Sequence, residues 1–170
     1  MNPSSIARRE VPEDALLKTY RGGAQPERWG NSGDCFAMPV DRVESLADFV
    51  FAFYTSPIFR IERLILRVLL GARSTDAQAR ALADGSATSF AVWRVGARTA
   101  TQLLMCDCYE RTRSWFCVVP LDGDRTLLQF GSAVAAGRDK QTKAVATGRG
   151  FRLLLGFHVL YSKILLYAVR

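Results

Sequence analysis

The sequence predicts an α+β domain in which a curved antiparallel sheet surrounds a long C-terminal helix. Residues 88–134 contain four successive segments rich in β-branched and aromatic side chains, joined by short polar connections, which is the pattern of an antiparallel meander. The last segment, residues 151–170, is mostly apolar and long enough for about five helical turns. The 170 residues are 49% hydrophobic and 23% charged, as in an ordinary soluble domain rather than a disordered or fibrous chain.

Residues 1–33 are expected to form a loosely packed N-terminal arm ahead of a single domain that spans residues 34–170. Pro3, Pro12 and Pro26, together with Gly and Ser clusters, disfavour long regular elements in the arm. The opening residues lack the apolar run of a secretory signal. We therefore expect a cytoplasmic protein.

The domain is predicted to begin with a short strand at residues 35–40, which Pro39 places at an edge or near the strand end. Asp41 and Glu44 have the spacing of a capping box. This spacing predicts a first helix over residues 42–54.

A second helix is predicted from Pro57, with Gly71 as its end, because proline suits a first helical turn and glycine suits a helix terminus. The sequence between them is amphipathic, with an apolar stripe at helical spacing and arginines on another side. An Ala-rich segment at residues 74–85 predicts a further short helix. The stripe consists of Ile61, Leu64, Ile65 and Val68, and the arginines are Arg60, Arg63 and Arg67.

Four strands are then predicted, separated by the short connections GAR, CYE and LDGD. A polar, basic connection follows and leads to the terminal helix. The predicted strands are residues 88–95, 99–107, 111–120 and 125–134, and the connection is residues 135–150.

The terminal segment favours a helix that is buried around most of its circumference, since only one narrow stripe of it is charged. A membrane-spanning alternative is disfavoured. The apolar stretch at residues 153–169 is shorter than the roughly 20 residues that a span needs, and Lys163 lies near its middle.

The formal net charge is +7, from 23 Lys and Arg against 16 Asp and Glu. These basic residues are scattered and match no nucleic-acid-binding motif, so we expect no nucleic-acid partner. Peripheral membrane contact through the cationic second helix stays open. The cysteines, Cys35, Cys106, Cys108 and Cys117, lack zinc-site spacing and predict free thiols without a metal.

This order of a strand, two helices, an antiparallel meander and a long apolar helix is that of the helix-grip fold. The chain resembles START-like (SRPBCC, Bet v 1-like) proteins, and in particular a bacterial family of that superfamily whose function is unknown. Larger members have six strands between the second helix and the last, whereas four are predicted here. The segments that carry the resemblance are DCFAMPV at 34–40, YTSPIFRIERLILRVLLG at 54–71, LLMCDCYERTRSWFCVVP at 103–120, LLQFGSAV at 127–134 and GFRLLLGFHVLYSKILL at 150–166.

The resemblance implies a cavity between the sheet and the terminal helix that receives a small apolar or lipid-like molecule, without a cofactor. His158 is the only histidine and shares a helix side with Tyr161, so both are candidate ligand contacts. Asp107 and Arg113 flank a predicted hairpin connection and could pair across it, at the rim of the cavity. The remaining candidate ligand-binding residues are Trp115 and Ser132.

Three functions remain open from the sequence. The first is noncovalent binding of an apolar or lipid-like ligand by a monomer or homodimer. The second is a cyclase or hydratase-like enzyme that uses His158 and Tyr161 as proton donors. The third is an interaction module with a filled core, and a cavity below a few hundred cubic ångströms would favour it.

Overall fold

A computed structural model describes residues 6–23, 29, 33–71 and 73–135. Within these ranges a curved antiparallel sheet has the strand order β1-β2-β7-β6-β5-β4-β3. The α+β class is therefore confirmed, whereas the predicted terminal helix at 151–170 lies outside the described residues. The strands are β1 (Ala7–Arg9), β2 (Asp34–Val40), β3 (Ser89–Phe90), β4 (Trp93–Arg98), β5 (Gln102–Asp107), β6 (Thr112–Leu121) and β7 (Arg125–Val134).

The first part of the meander differs from its prediction, because the continuous strand expected at 88–95 is two strands. Ala91 has a left-handed backbone with φ of 52° and forms the turn between β3 and β4. The connection expected at 96–98 lies inside β4, whose register shifts between Val95 and Ala97. Up to residue 135, where the description ends, five strands therefore follow the helices, instead of the four predicted.

Gly96 occupies this register shift for a steric reason. A Cβ atom at this position would lie 2.9 Å from the Cys106 Sγ atom on the neighbouring strand, closer than real Cβ contacts allow. The position therefore requires a residue without a side chain.

The first long helix begins later in the chain than predicted. Helix α2 (Leu46–Thr55) starts at Ser45, whose hydroxyl accepts a hydrogen bond from Asp48 N at 3.0 Å. The predicted start at Asp41 is wrong, because the Glu44 backbone N–H donates instead to Thr126 Oγ1 on β7 at 3.0 Å.

The other helix boundaries follow local sequence. Helix α3 (Pro57–Leu70) has proline in its first turn and ends at Gly71, which has φ of 66°, as predicted. Helix α4 (Asp76–Ala83) begins with a capping box between Thr75 and Gln78. A one-turn helix, α1 (Leu16–Thr19), precedes them in the chain.

The two faces of the sheet have different coverings. The aromatic face carries Phe36, Phe116 and Phe130, and α2 and α4 pack on it. The opposite face, here called the N-terminal face, carries Leu104, Cys106, Trp115 and Cys117 and packs against residues 11–20.

The stretch predicted as an N-terminal arm contributes directly to this second layer. Strand β1 pairs with β2, with Ala7 opposite Ala37. Val11, Ala15 and Leu17 are buried against the N-terminal face. Their apolar side chains shield this face of the sheet from water, so the described residues 6–23 supply core as well as surface.

Candidate functional site

The predicted ligand-binding residues do not converge on one place in the part of the chain that the structure describes. His158 and Tyr161 lie outside it. Asp107 and Ser132 belong to the aromatic face, because they alternate with the residues that face the N-terminal side. Arg113 and Trp115 belong to the N-terminal face.

Asp107 organises the turn between β5 and β6. Its carboxylate accepts hydrogen bonds from Tyr109 N at 2.7 Å, from Arg111 N at 3.0 Å and from the backbone and hydroxyl of Thr112. These bonds replace backbone pairing where the hairpin reverses. The local role of Asp107 is therefore to stabilise the turn.

The predicted pair between Asp107 and Arg113 is wrong. The register partner of Arg113 is Cys106, one residue earlier, and consecutive side chains of a strand point to opposite faces. The two charges are therefore separated by the sheet.

Arg113 instead fastens the N-terminal layer to the sheet. Its guanidinium donates to the carbonyl oxygens of Tyr20 at 3.3 Å and Gly22 at 2.9 Å. It lies 4.0 Å from the centroid of the Trp29 ring. The side chain is buried, and burial lowers the pKa of the guanidinium and raises the pKa of the adjacent Cys106 thiol. The gap around it leaves no space for a water molecule.

Trp115 and Ser132 also have structural partners within the fold. The Trp115 indole N–H donates to Gln102 Oε1 at 2.8 Å, and the same oxygen accepts from Leu16 N at 2.9 Å. Gln102 thus ties α1 to the N-terminal face. Ser132 pairs with Asp34 on β2 and with Ser114 on β6, forming a polar row next to the aromatic side chains.

Helix α2 occupies the centre of the aromatic face. The Phe53 ring stacks on Phe130 with centroids 4.8 Å apart and meets Phe116 edge-on at 4.8 Å. Tyr54 is fully buried beside Phe90 and Phe59, and burial raises the pKa of its phenol above the usual range. This part of the face is packed by side chains.

Helix α3 is the least expected feature of the structure. Its apolar stripe faces water: the exposed fractions are 61% for Ile61, 58% for Leu64 and 74% for Val68. Phe59 and Leu66, on roughly the opposite side of the helix, are the residues that are buried. The stripe predicted from helical spacing is thus a surface, defined here as the α3 stripe (Ile61, Leu64, Ile65 and Val68).

An open groove of about 290 Å³ runs beside this stripe. Arg63 lines one wall of the groove, donating to Ser74 Oγ at 3.0 Å, to Ser74 O at 2.7 Å and to Asp76 at 2.5 Å. Arg60 donates to the other Asp76 oxygen at 2.7 Å. The hydrogen bond from Arg63 and the charge of Arg60 hold the pKa of Asp76 below its usual value. The α3 groove is lined by Arg60, Arg63, Leu64, Arg67, Ser74 and Asp76.

The four cysteines carry free thiols, as predicted. Burial raises the pKa of Cys35 and of Cys117 to about 11, so both stay protonated near neutrality. Cys108 is exposed. Among the described residues, no three His, Cys, Asp or Glu side chains are grouped to hold a metal ion.

The α3 groove could not be predicted from the sequence, because its parts come from separate positions along the chain. Ser74 and Asp76 follow Arg63 by 11 and 13 residues, and only the fold of the connection before α4 brings them together. One local signal was present. Phe59 and Leu66 are seven residues apart, and this spacing marks a second apolar side of the helix.

Comparisons with known proteins leave the chain unassigned. No protein-family model and no curated protein matches it. CalU16 from Micromonospora echinospora is 15% identical, with a TM-score of 0.32 over 91% of this chain and 79% of that chain. A conserved protein of unknown function from Enterococcus faecalis, EF2215, is 10% identical, with a TM-score of 0.31 over 79% and 72% of the two chains.

Likenesses at this level carry no argument about function, and the START-like resemblance stays a prediction. In the part of the chain that the structure describes, no helix has the length and apolarity to span a bilayer.

Proposed function

We propose that this protein is a lipid-binding protein that docks on anionic membrane surfaces through α3. The observation that carries the proposal is the α3 stripe, four large apolar side chains exposed on a single helix. Transfer of a Val, Leu or Ile side chain out of water is worth about 1.5 to 3 kcal/mol when burial is complete. An amphipathic helix gains part of this energy when it lies at the boundary of headgroups and acyl chains.

The charges beside the stripe favour an anionic partner. Arg60 and Arg67 line the adjacent groove, and a basic side chain near an anionic membrane contributes about 1 kcal/mol. Residues 136–170 add seven Lys or Arg and one Asp, within a chain of net charge +7. An anionic lipid surface complements both features.

The same charges disfavour two other occupants of the stripe. A second copy of the chain would bring its own Arg60 and Arg67 towards these arginines. The apolar segment 151–170 contains three basic residues and no acidic residue, so it carries the same positive sign of charge as Arg60 and Arg67. Like charges repel at such short distances.

An interior ligand site is supported less well by the described residues. Side chains from α2 fill the centre of the aromatic face, and the gap beside Arg113 has no space. The predicted cavity against residues 151–170, and the enzyme alternative with His158 and Tyr161, remain predictions.

We propose that the docking takes place at a cytoplasmic leaflet, since four free thiols fit a reducing compartment.

Vesicle cosedimentation tests the proposal. We expect the full-length protein to bind vesicles of phosphatidylcholine with phosphatidylglycerol, and to bind phosphatidylcholine alone weakly. Val68→Ser should weaken binding about tenfold, since it removes one inserted apolar side chain. Val43→Ser is the matched control, because Val43 is 75% exposed, as Val68 is at 74%, but lies outside α3.

Equal binding by the two variants would overturn the proposal, as would binding that ignores the anionic lipid. A wild-type dimer in size-exclusion chromatography that Val68→Ser dissociates would assign the stripe to a second copy instead. Binding should also fall as salt is added, because screening weakens attraction between surface charges.

A further inference from the structure

We infer that the α3 groove is a phosphate-binding subsite that selects lipids with a phosphomonoester headgroup. This inference rests on the proposed function and specifies the lipid class that the same surface recognises. It is carried by the excess of arginine in the groove and by the direct contact between the groove and the α3 stripe.

Arg63 and Asp76 give the groove a fixed shape. All three donor nitrogens of Arg63 are engaged by Ser74 and Asp76, and only 11% of its side chain is exposed. Its guanidinium also lies 5.8 Å from the centroid of the buried Phe90 ring. Arg63 is therefore a positioning residue that builds one wall.

The groove has more positive than negative charge. Three arginines line it, and Asp76 is the single carboxylate among the lining residues. Both Asp76 oxygens are already occupied, one by Arg63 and one by Arg60. Arg67 lines the groove without an ion pair to any residue that the structure describes. The surplus is two positive charges.

A phosphomonoester matches this surplus because it carries close to two negative charges near neutrality. Guanidinium groups also suit phosphate oxygens, which they bind through paired hydrogen bonds. A phosphodiester headgroup carries one negative charge and would leave one arginine charge uncompensated. The groove should therefore prefer the monoester.

Leu64 connects the two parts of the surface. It lines the groove and is also a member of the exposed stripe. A phosphate held between Arg60 and Arg67 would thus lie next to the apolar side chains that contact the acyl region. This arrangement favours a phosphate attached to a lipid over a free one.

The test compares vesicles that contain phosphatidic acid with vesicles that contain phosphatidylglycerol, adjusted to equal zeta potential. We expect about fivefold tighter binding to phosphatidic acid, corresponding to one additional arginine contact. Arg67→Gln should abolish this preference, whereas Arg67→Lys should restore part of it. Arg125→Gln is the matched control, because Arg125 is an exposed arginine at the start of β7, far from α3 in the sequence.

Equal binding of wild-type protein to the two vesicles, or an equal effect of Arg67→Gln and Arg125→Gln, would overturn the inference and leave general membrane docking intact. Failure of the wild-type protein to bind either kind of vesicle would instead overturn the proposed function. Competition with inorganic phosphate distinguishes a lipid headgroup from a free phosphate as the ligand of the groove. Complete displacement at micromolar phosphate would assign the groove to a soluble anion and contradict the lipid inference.

Discussion

Phe53→Ala is expected to lower the free energy of unfolding by about 3 to 5 kcal/mol, the range for removal of a buried phenylalanine. The Phe53 ring contacts Phe116 and Phe130 on the sheet and Phe59 on α3. Its loss leaves a cavity between α2 and the aromatic face that these rigid rings cannot easily fill. Urea unfolding followed by circular dichroism measures the change.

Phe51→Ala is the matched control on the same helix. Phe51 is half-buried and lies under the guanidinium of Arg80, which is 3.8 Å from its ring centroid. We expect a cost near 1 kcal/mol, the scale of a partly exposed cation–π contact. Similar costs for both variants would contradict the packing of α2 on the sheet, and would restore the case for an open interior cavity there.

Arg113→Met is expected to cost about 2 to 4 kcal/mol, because two partly buried carbonyl oxygens lose the charged hydrogen-bond donors of a buried side chain. The carbonyls belong to Tyr20 and Gly22, so the N-terminal layer should loosen before the rest of the sheet. Hydrogen exchange of residues 11–20 reports this loosening, and urea unfolding gives the total change.

Arg113→Lys separates charge from geometry. Lysine keeps the positive charge but cannot donate through a planar fork, so we expect it to recover less than half of the loss. Full recovery by lysine would show that charge alone matters at this position. An unfolding free energy unchanged in Arg113→Met would contradict the role of Arg113 as the fastening residue.

Local sequence patterns predicted those elements whose boundaries depend on nearby residues. The end of α3 at Gly71 follows from the left-handed conformation that glycine accepts. Strand β7 has the predicted bounds, Arg125–Val134, because a turn and a continuous apolar pattern define it. The start of α2 was predicted about four residues too early: the local Ser45 cap defines it, whereas the Glu44 backbone N–H is bound by Thr126, 82 residues away.

The candidate site was harder to predict than the fold. Which side chains of two neighbouring strands share a face depends on the register between the strands. The register that puts Cys106 opposite Arg113 is set by the length of the turn. Helical spacing identified the α3 stripe correctly as apolar. It could not show which apolar side faces the sheet, because α3 has two of them.

Fluorescence of a bimane label at position 68 tests the central claim most directly. The label is attached to Val68→Cys in a Cys108→Ser background, since the other three cysteines are buried. Addition of anionic vesicles should shift the emission to shorter wavelength and expose the dye to quenching by brominated lipids. The same label at Val119→Cys, on the exposed part of β6, should not respond. A label at position 68 that stays in water while the protein cosediments with the vesicles would contradict docking through α3.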